Sequence, residues 1–368
     1  MNFYIYTIII IITFRVVKHK RVSIKCIIKF LRSLLTLKNK FICSLLAFCC
    51  AAIIPVAATG CNKNDDKVIK INEVTHSVFY APLYLADALG YFEEEGYKVQ
   101  LTNGGGADST MAAVISGNAD IGFCGPEAAI YVKLGGSNDT PKVFGQLTKR
   151  DGSFLVGRKA EPDFDWSNLK DKEILAGRKG GVPAMTFEYV LKSESVSANL
   201  NFSVEFNMMT AAFEGGIADY CTMFEPVASE YQAAGKGYIV ASVGEKSGEI
   251  PYTCFIAKSS YINKNSEKID AILRSVTRAV KYINETDSDT VAGYLVKYFD
   301  GTSRNSLKVS VDSYKAIDAW VTDMAMKESA FEKLQDIIYD AGELEQRVKF
   351  SDLVTTEAAH KIYQEVYA

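Results

Sequence analysis

The first 60 residues contain no aspartate or glutamate, yet they hold nine of the chain's 41 lysines and arginines. The remaining 32 basic residues face all 44 acidic ones, so the body from residue 61 onward carries a formal net charge of −12. Without a basic stripe in the body, a nucleic-acid partner is excluded. Histidine is scarce: His19 lies in the leader, and only His76 and His360 remain. Of eight cysteines, only Cys124, Cys221 and Cys254 lie beyond residue 61. Three well-separated cysteines make neither a disulfide framework nor a CxxC metal site, and each reads as a small core residue. No GxSxG, HExxH, Walker A or GxGxxG motif occurs, so hydrolase, zinc-protease and nucleotide-binding readings lack their chemistry. No catalytic residue, metal or cofactor is expected.

What is present begins with an export signal. Phe41 to Ala58 is an apolar run preceded by Lys38 and Lys40 and followed by Thr59-Gly60-Cys61. A basic flank, an apolar segment and small residues before a cut site read as a secretory signal. The boundary resembles a bacterial lipobox, which implies lipidation of Cys61 and an extracytoplasmic, membrane-anchored product. A plain membrane anchor is the competing reading, since 18 residues nearly span a bilayer. No Met occurs between positions 2 and 60, and residues 1–36 read as upstream of the true start, near Leu37.

Inside the body a sentence is repeated. Met111-Ala-Ala-Val-Ile-Ser-Gly-Asn-Ala-Asp120 aligns without a gap on Thr210-Ala-Ala-Phe-Glu-Gly-Gly-Ile-Ala-Asp219. Each copy continues through a short apolar strand to a proline, Pro126 or Pro226. Helix, turn, strand and a new helix opened by Pro thus occur twice, which implies two similar α/β lobes around a crevice. The expected divisions are a leader (1–60), a tether (61–67), the first part of lobe 1 (68–153), lobe 2 (154–251) and a return to lobe 1 with C-terminal helices (252–368).

Strands are expected at Val68–Thr75, Tyr97–Leu101, Ala119–Phe123, Lys142–Leu147, Glu173–Ala176, Val204–Met208, Asp219–Met223 and Tyr238–Val243, in parallel α/β units, with Phe154–Gly157 read as the segment crossing into lobe 2 and Tyr252–Ala257 as the segment returning to lobe 1. Asp108 or Ser109 is expected to cap one helix, and Gly180-Gly181 to open another with Pro183 in its first turn. After Ser259 the pattern is helical: Ser266–Asn284, Asp289–Phe299, Val311–Met326, Phe331–Asp340 and Thr355–Val366, wrapping lobe 1.

Tyr80-Ala-Pro-Leu-Tyr-Leu-Ala86, followed by Gly90-Tyr-Phe-Glu-Glu-Glu-Gly96, resembles the opening of the ABC-importer solute-binding proteins for sulfonates, nitrate and taurine. The same family includes binders of hydroxymethylpyrimidine, the thiamine precursor. Ser116-Gly-Asn-Ala-Asp-Ile-Gly122 resembles its second hallmark, and Phe224-Glu225-Pro226 its Trp-Glu-Pro element with Phe in place of Trp. The resemblance implies an α/β type II periplasmic-binding fold, a small-molecule ligand, and a permease–ATPase partner. Fungal relatives act as pyrimidine-precursor synthases through a Cys-Cys-Cys-Phe-Cys motif. That motif is absent here, so an enzyme is not expected.

In open α/β sheets ligands sit beyond strand carboxyl ends, where helix N-termini point. That rule nominates His76, Phe79, Tyr80, Gly106, Asp108, Ser109, Gly125, Glu127, Gly181, Thr210, Phe224, Glu225 and Tyr252. Arg150, Asp151, Arg178 and Lys179 lie near the lobe crossings, to line the cleft or pair across it. Glu127 and Glu225 occupy near-equivalent junctions of the repeat. Facing one crevice they oppose an anion and favour an amine or protonated ring nitrogen. Alternatively each complements the positive end of its own helix, worth about 0.3–1 kcal/mol.

Overall fold

A computed structural model describes residues 65–368. The leader, the Phe41–Ala58 run, Cys61 and the tether up to residue 64 lie outside the described residues. The body contains two five-stranded mixed sheets. The first has the order β2-β1-β3-β10-β4, from β1 Val68–Glu73, β2 Lys98–Asn103, β3 Ile121–Cys124, β4 Pro141–Thr148 and β10 Thr253–Lys258. The second has the order β7-β6-β8-β5-β9, from β5 Ser153–Gly157, β6 Glu173–Leu175, β7 Asn199–Leu200, β8 Tyr220–Phe224 and β9 Tyr238–Ser242. In each sheet four strands point the same way, and the one inserted among them, β10 between β3 and β4 or β5 between β8 and β9, is antiparallel to both neighbours. The expectation of parallel units therefore holds for every strand but β10 and β5.

Helices of six residues or more are numbered α1 Ala81–Ala88, α2 Ala107–Ser116, α3 Glu127–Leu134, α4 Val182–Ser193, α5 Met209–Glu214, α6 Val227–Ala233, α7 Ser259–Lys264, α8 Ser266–Glu285, α9 Ser288–Leu295, α10 Arg304–Ala316, α11 Glu328–Asp340 and α12 Glu357–Tyr367. None of the described helices is long and apolar enough to cross a membrane.

The repeated decapeptide has one job in both lobes. Asp120 Oδ2 accepts the Lys70 amide at 2.9 Å, tying the end of the α2 turn to the start of β1. Asp219 Oδ2 accepts the Glu173 amide at 3.0 Å, at the start of β6. The paired glycines Gly117 and Gly216 both have positive φ, at 77° and 90°. Only a residue without Cβ takes that helix-ending turn cheaply. Two of the identities thus encode one joint: a glycine that ends the helix in a turn, and a carboxylate that sets the next strand beside the first.

Several expectations are corrected. Val204–Met208 is not a strand; its end, Phe206–Met208, is a 3₁₀ turn, and the edge strand is instead Asn199–Leu200. Val311–Met326 is not one helix: α10 starts earlier, at Arg304, and stops at Ala316, capped at its start by Ser303, whose Oγ accepts the Ser306 amide. Neither Asp108 nor Ser109 caps α2; Gly106 holds that position. The C-terminal helices do not wrap lobe 1 alone, because α11 also packs on α4 and α10 on α6 of lobe 2.

The lobes are joined by two side-by-side crossings. Ile250 and Tyr252 donate amides to the Lys149 and Thr148 carbonyls at 2.8 and 3.1 Å. Phe79, fully buried, packs here against Tyr314, Tyr252 and Phe224, with ring centroids 5.0–5.8 Å apart. Cys124, Cys221 and Cys254 are buried free thiols.

Candidate functional site

Strand ends and helix starts from both sheets converge on one cavity of about 650 Å³, counted with its open mouth. Lobe 1 contributes Val74, Thr75, Tyr80, Gly105–Ala107, Gly125, Glu127, Tyr252 and Thr253; lobe 2 contributes Arg178, Gly181–Pro183, Glu205, Phe206 and Phe224. The first turns of α2 and α4 therefore both present backbone amides to the same space.

Glu127 opens α3 immediately after Pro126 and is almost fully buried. Its Oε2 has no hydrogen-bond partner. Burial pushes its carboxyl up to about 7, against the opposing pull of its own amide, the Val182 amide and the Arg178 guanidinium. Gly125 makes room for it: a Cβ at that position would lie 2.0 Å from Glu127 Oε2. Tyr80 is buried with its ring edge-on to Phe123, the centroids 4.6 Å apart, and its hydroxyl accepts from Thr253 Oγ1 at 3.4 Å. Burial holds the Tyr80 phenol well above the ordinary range.

Arg178 is the sole cationic side chain among the described residues lining the cavity. It is already engaged across the cleft: Nη1 and Nη2 lie 3.1 and 3.2 Å from the two carboxylate oxygens of Asp108. The same lobe 2 loop is held by the Tyr131 hydroxyl, which donates to the Gly180 carbonyl at 2.9 Å. The lobes are thus in contact around the cavity.

The cavity brings together seven of the nominated residues: Tyr80, Gly106, Gly125, Glu127, Gly181, Phe224 and Tyr252. Six fall elsewhere. Phe79 is packed in the crossing core. His76 is locked outside the cavity, its Nδ1 2.8 Å from Glu73 Oε1 and its Nε2 2.8 Å from the Tyr298 carbonyl. The bond to Glu73 raises its pKa, burial opposing. Asp108 pairs with Arg178, Ser109 is exposed, and Thr210 accepts from the Tyr231 hydroxyl. Glu225 is buried but turned away: its carboxylate accepts the Ser229 amide and hydroxyl at 3.0 and 2.6 Å and the Ser313 hydroxyl at 3.1 Å.

The two glutamates differ by one step. Glu127 follows its proline and projects into the cleft, whereas Glu225 precedes its proline and caps α6. Glu205 and Phe206 went unnominated because their segment reads as a strand. Among the described residues no cluster of His, Cys, Asp and Glu is placed to hold a metal.

Two lobes with matched sheets, two crossings and a cleft at the helix starts define the type II periplasmic-binding fold, that of the solute-binding proteins of ABC importers. The NMT1/THI5-like family description matches residues 78–288, and the chain belongs to that family. It is 36% identical over 327 residues to YtlA of Bacillus subtilis strain 168, named as a binding protein, covering 87% of this chain and 98% of that one. It is 26% identical over 235 residues to a 4-amino-5-hydroxymethyl-2-methylpyrimidine phosphate synthase of Aspergillus parasiticus, covering 59% of this chain and 67% of the synthase. Among solved structures, the nitrate-binding protein NrtA of Synechocystis PCC 6803 shares the fold at a TM-score of 0.67 and 14% identity, with 82% of this chain and 89% of that one covered. The alkanesulfonate-binding protein SsuA of Xanthomonas axonopodis pv. citri does so at 0.65 and 17%, with 78% and 98% covered.

Proposed function

We propose that the protein is the extracytoplasmic solute-binding component of an ABC importer, anchored to the membrane through a lipid on Cys61. It captures a small nitrogen heteroaromatic ring between its lobes and hands it to a permease driven by an ATPase. The single observation carrying the ligand class is Glu127: a buried carboxyl in a largely apolar cavity, with one oxygen lacking any partner. A buried acceptor without a donor is costly, and a ligand N–H that supplies the donor recovers that cost. Tyr80, Phe206, Phe224 and Tyr252 in the walls offer ring contacts, each worth about 0.5–1.5 kcal/mol beyond area burial. Neutral at low pH and ionised above about 7, Glu127 suits an aminopyrimidine-like edge that carries both donors and acceptors. Closure then stabilises the lobe arrangement in which ligand contacts both walls.

A sulfonate or nitrate receptor is the weaker reading, because the lining guanidinium already has a carboxylate partner and a second carboxyl stands beside it. A synthase-like enzyme is weaker still: the three cysteines of the body are buried and none lines the cavity, and His76 does not reach it. Thermal-shift screening followed by calorimetry tests the choice, with 4-amino-2-methylpyrimidine derivatives, sulfonates, taurine and nitrate as probes. The expected result is micromolar binding of a pyrimidine, about −8 kcal/mol, weakened at least tenfold in E127Q. Micromolar binding of a sulfonate or nitrate with no response to pyrimidines refutes it.

A further inference from the structure

We infer that Asp108 sets the charge selectivity of the cleft: by pairing the lining guanidinium of Arg178 across the lobes, it keeps anions out of a site otherwise built to accept them. The inference rests on the ligand class proposed above but is read from different residues. Three electropositive features meet at the cavity. They are the first turn of α2 at Gly105–Ala107, the first turn of α4 at Gly181–Pro183, and Arg178. Two helix starts and a guanidinium are, by general chemistry, a site for sulfonate, phosphate or carboxylate. Two carboxyl groups counter them. Glu127, buried and with Oε2 unpartnered, stands beside the α4 start. Asp108 takes the guanidinium fork with both oxygens, Nη1–Oδ2 at 3.1 Å and Nη2–Oδ1 at 3.2 Å.

Adhesion is not what this pair is for. The Asp108 side chain is 71% exposed, and ion pairs between such groups contribute little to stability because water and salt screen them. Nor does Asp108 cap its helix, since Gly106 holds that position and no side chain bonds there. What remains is occupancy. The planar guanidinium presents its fork to one carboxylate at a time, and Asp108 fills it whenever the lobes meet. An incoming anion must displace a carboxylate from its own helix start and enter beside Glu127. Selectivity built from such an unfavourable encounter is as effective as selectivity from a new attraction.

The test uses the full mature chain with methanesulfonate as probe, titrated calorimetrically at constant ionic strength into the parent, D108N, D108E, R178Q and the double variant D108N/R178Q. The expected result is a gain of tenfold or more in methanesulfonate affinity for D108N. D108E and R178Q should remain as weak as the parent, and the double variant should return to the parent's level. Because Asp108 is exposed and caps nothing, D108N should keep the parent's circular dichroism, and D108S provides a second neutral variant for the same comparison. A gain smaller than tenfold in both neutral variants overturns the inference and leaves the ligand proposal untouched. A gain that persists in the double variant also overturns it, because the anion then does not use Arg178. Micromolar methanesulfonate binding by the parent overturns this inference and the heteroaromatic reading together.

Discussion

The buried carboxyl of Glu127 makes the ligand-free protein more stable in mild acid than in mild base, and Glu127→Gln should remove that slope. Burial raises its pKa from the ordinary 4.5 to about 7 in the folded chain. Below 4.5 both folded and unfolded states hold the proton and no cost arises. Between 4.5 and 7 the unfolded chain ionises freely while the folded chain holds on, so stability falls as pH rises through that window. Above 7 both states are ionised, and the full cost is roughly 3 kcal/mol at about 1.4 kcal/mol per tenfold change in protonation. Linkage between pH 5.5 and 8 gives a loss of roughly 2 kcal/mol from this group alone. Asp151, also buried and pushed up to about 7, slopes the same way. It does so in both proteins, so the difference between parent and variant isolates Glu127. Urea denaturation at pH 5.5, 6.5, 7.5 and 8.5 measures it. The variant should gain on the parent from pH 5.5 to about 7, level off above that, and be the more stable protein at 8.5. Parallel curves for the two proteins would show that the Glu127 environment is not dry enough to hold its proton.

Three further outcomes follow from the crossings and the caps. Gly152→Ala places a Cβ 2.7 Å from three atoms of the Phe79 ring, an overpacking that should cost about 1–3 kcal/mol and lower the thermal midpoint; an unchanged midpoint refutes the packing account. Glu225→Gln should lower stability by about 1–3 kcal/mol through lost bonds to Ser229 and Ser313, while calorimetry shows pyrimidine affinity within twofold of the parent, since this side chain faces away from the cavity. Tyr314→Phe removes a hydroxyl that donates to the Gly152 carbonyl at 3.1 Å and accepts the Glu225 amide at 3.0 Å; chemical denaturation should show a loss of about 1–3 kcal/mol.

The paired architecture is legible in the sequence because its joint is local. A glycine at positive φ, an aspartate three residues on and an apolar strand recur as one string, and the contacts that they make repeat with them. Sites at the helix starts are legible for the same reason: Gly106, Gly125 and Gly181 mark where backbone meets the cavity. What escapes is direction. Glu127 and Glu225 look equivalent until the one-residue offset from their prolines sends one into the cavity and the other toward Ser229 and Ser313. Phe79 and His76 sit on the nominated loop, yet long-range partners claim them: Trp320, whose Nε1 donates to the Phe79 carbonyl at 2.8 Å, and the Tyr298 carbonyl on His76. The Glu205–Phe206 wall is hidden by composition, because its alternating apolar residues mimic a strand while the chain makes a turn.

The order in which the strands join carries a consequence for synthesis. β10, from Thr253, lies between β3 and β4, both made more than a hundred residues earlier. A nascent chain emerging from its N-terminus therefore displays the inner edges of β3 and β4 as open, hydrogen-bond-hungry borders until all of lobe 2 has been threaded out. Such borders invite wrong pairing. A chain of this design is best served by being kept extended until its last third arrives, and any truncation before Thr253 leaves a half-built sheet rather than a smaller working lobe.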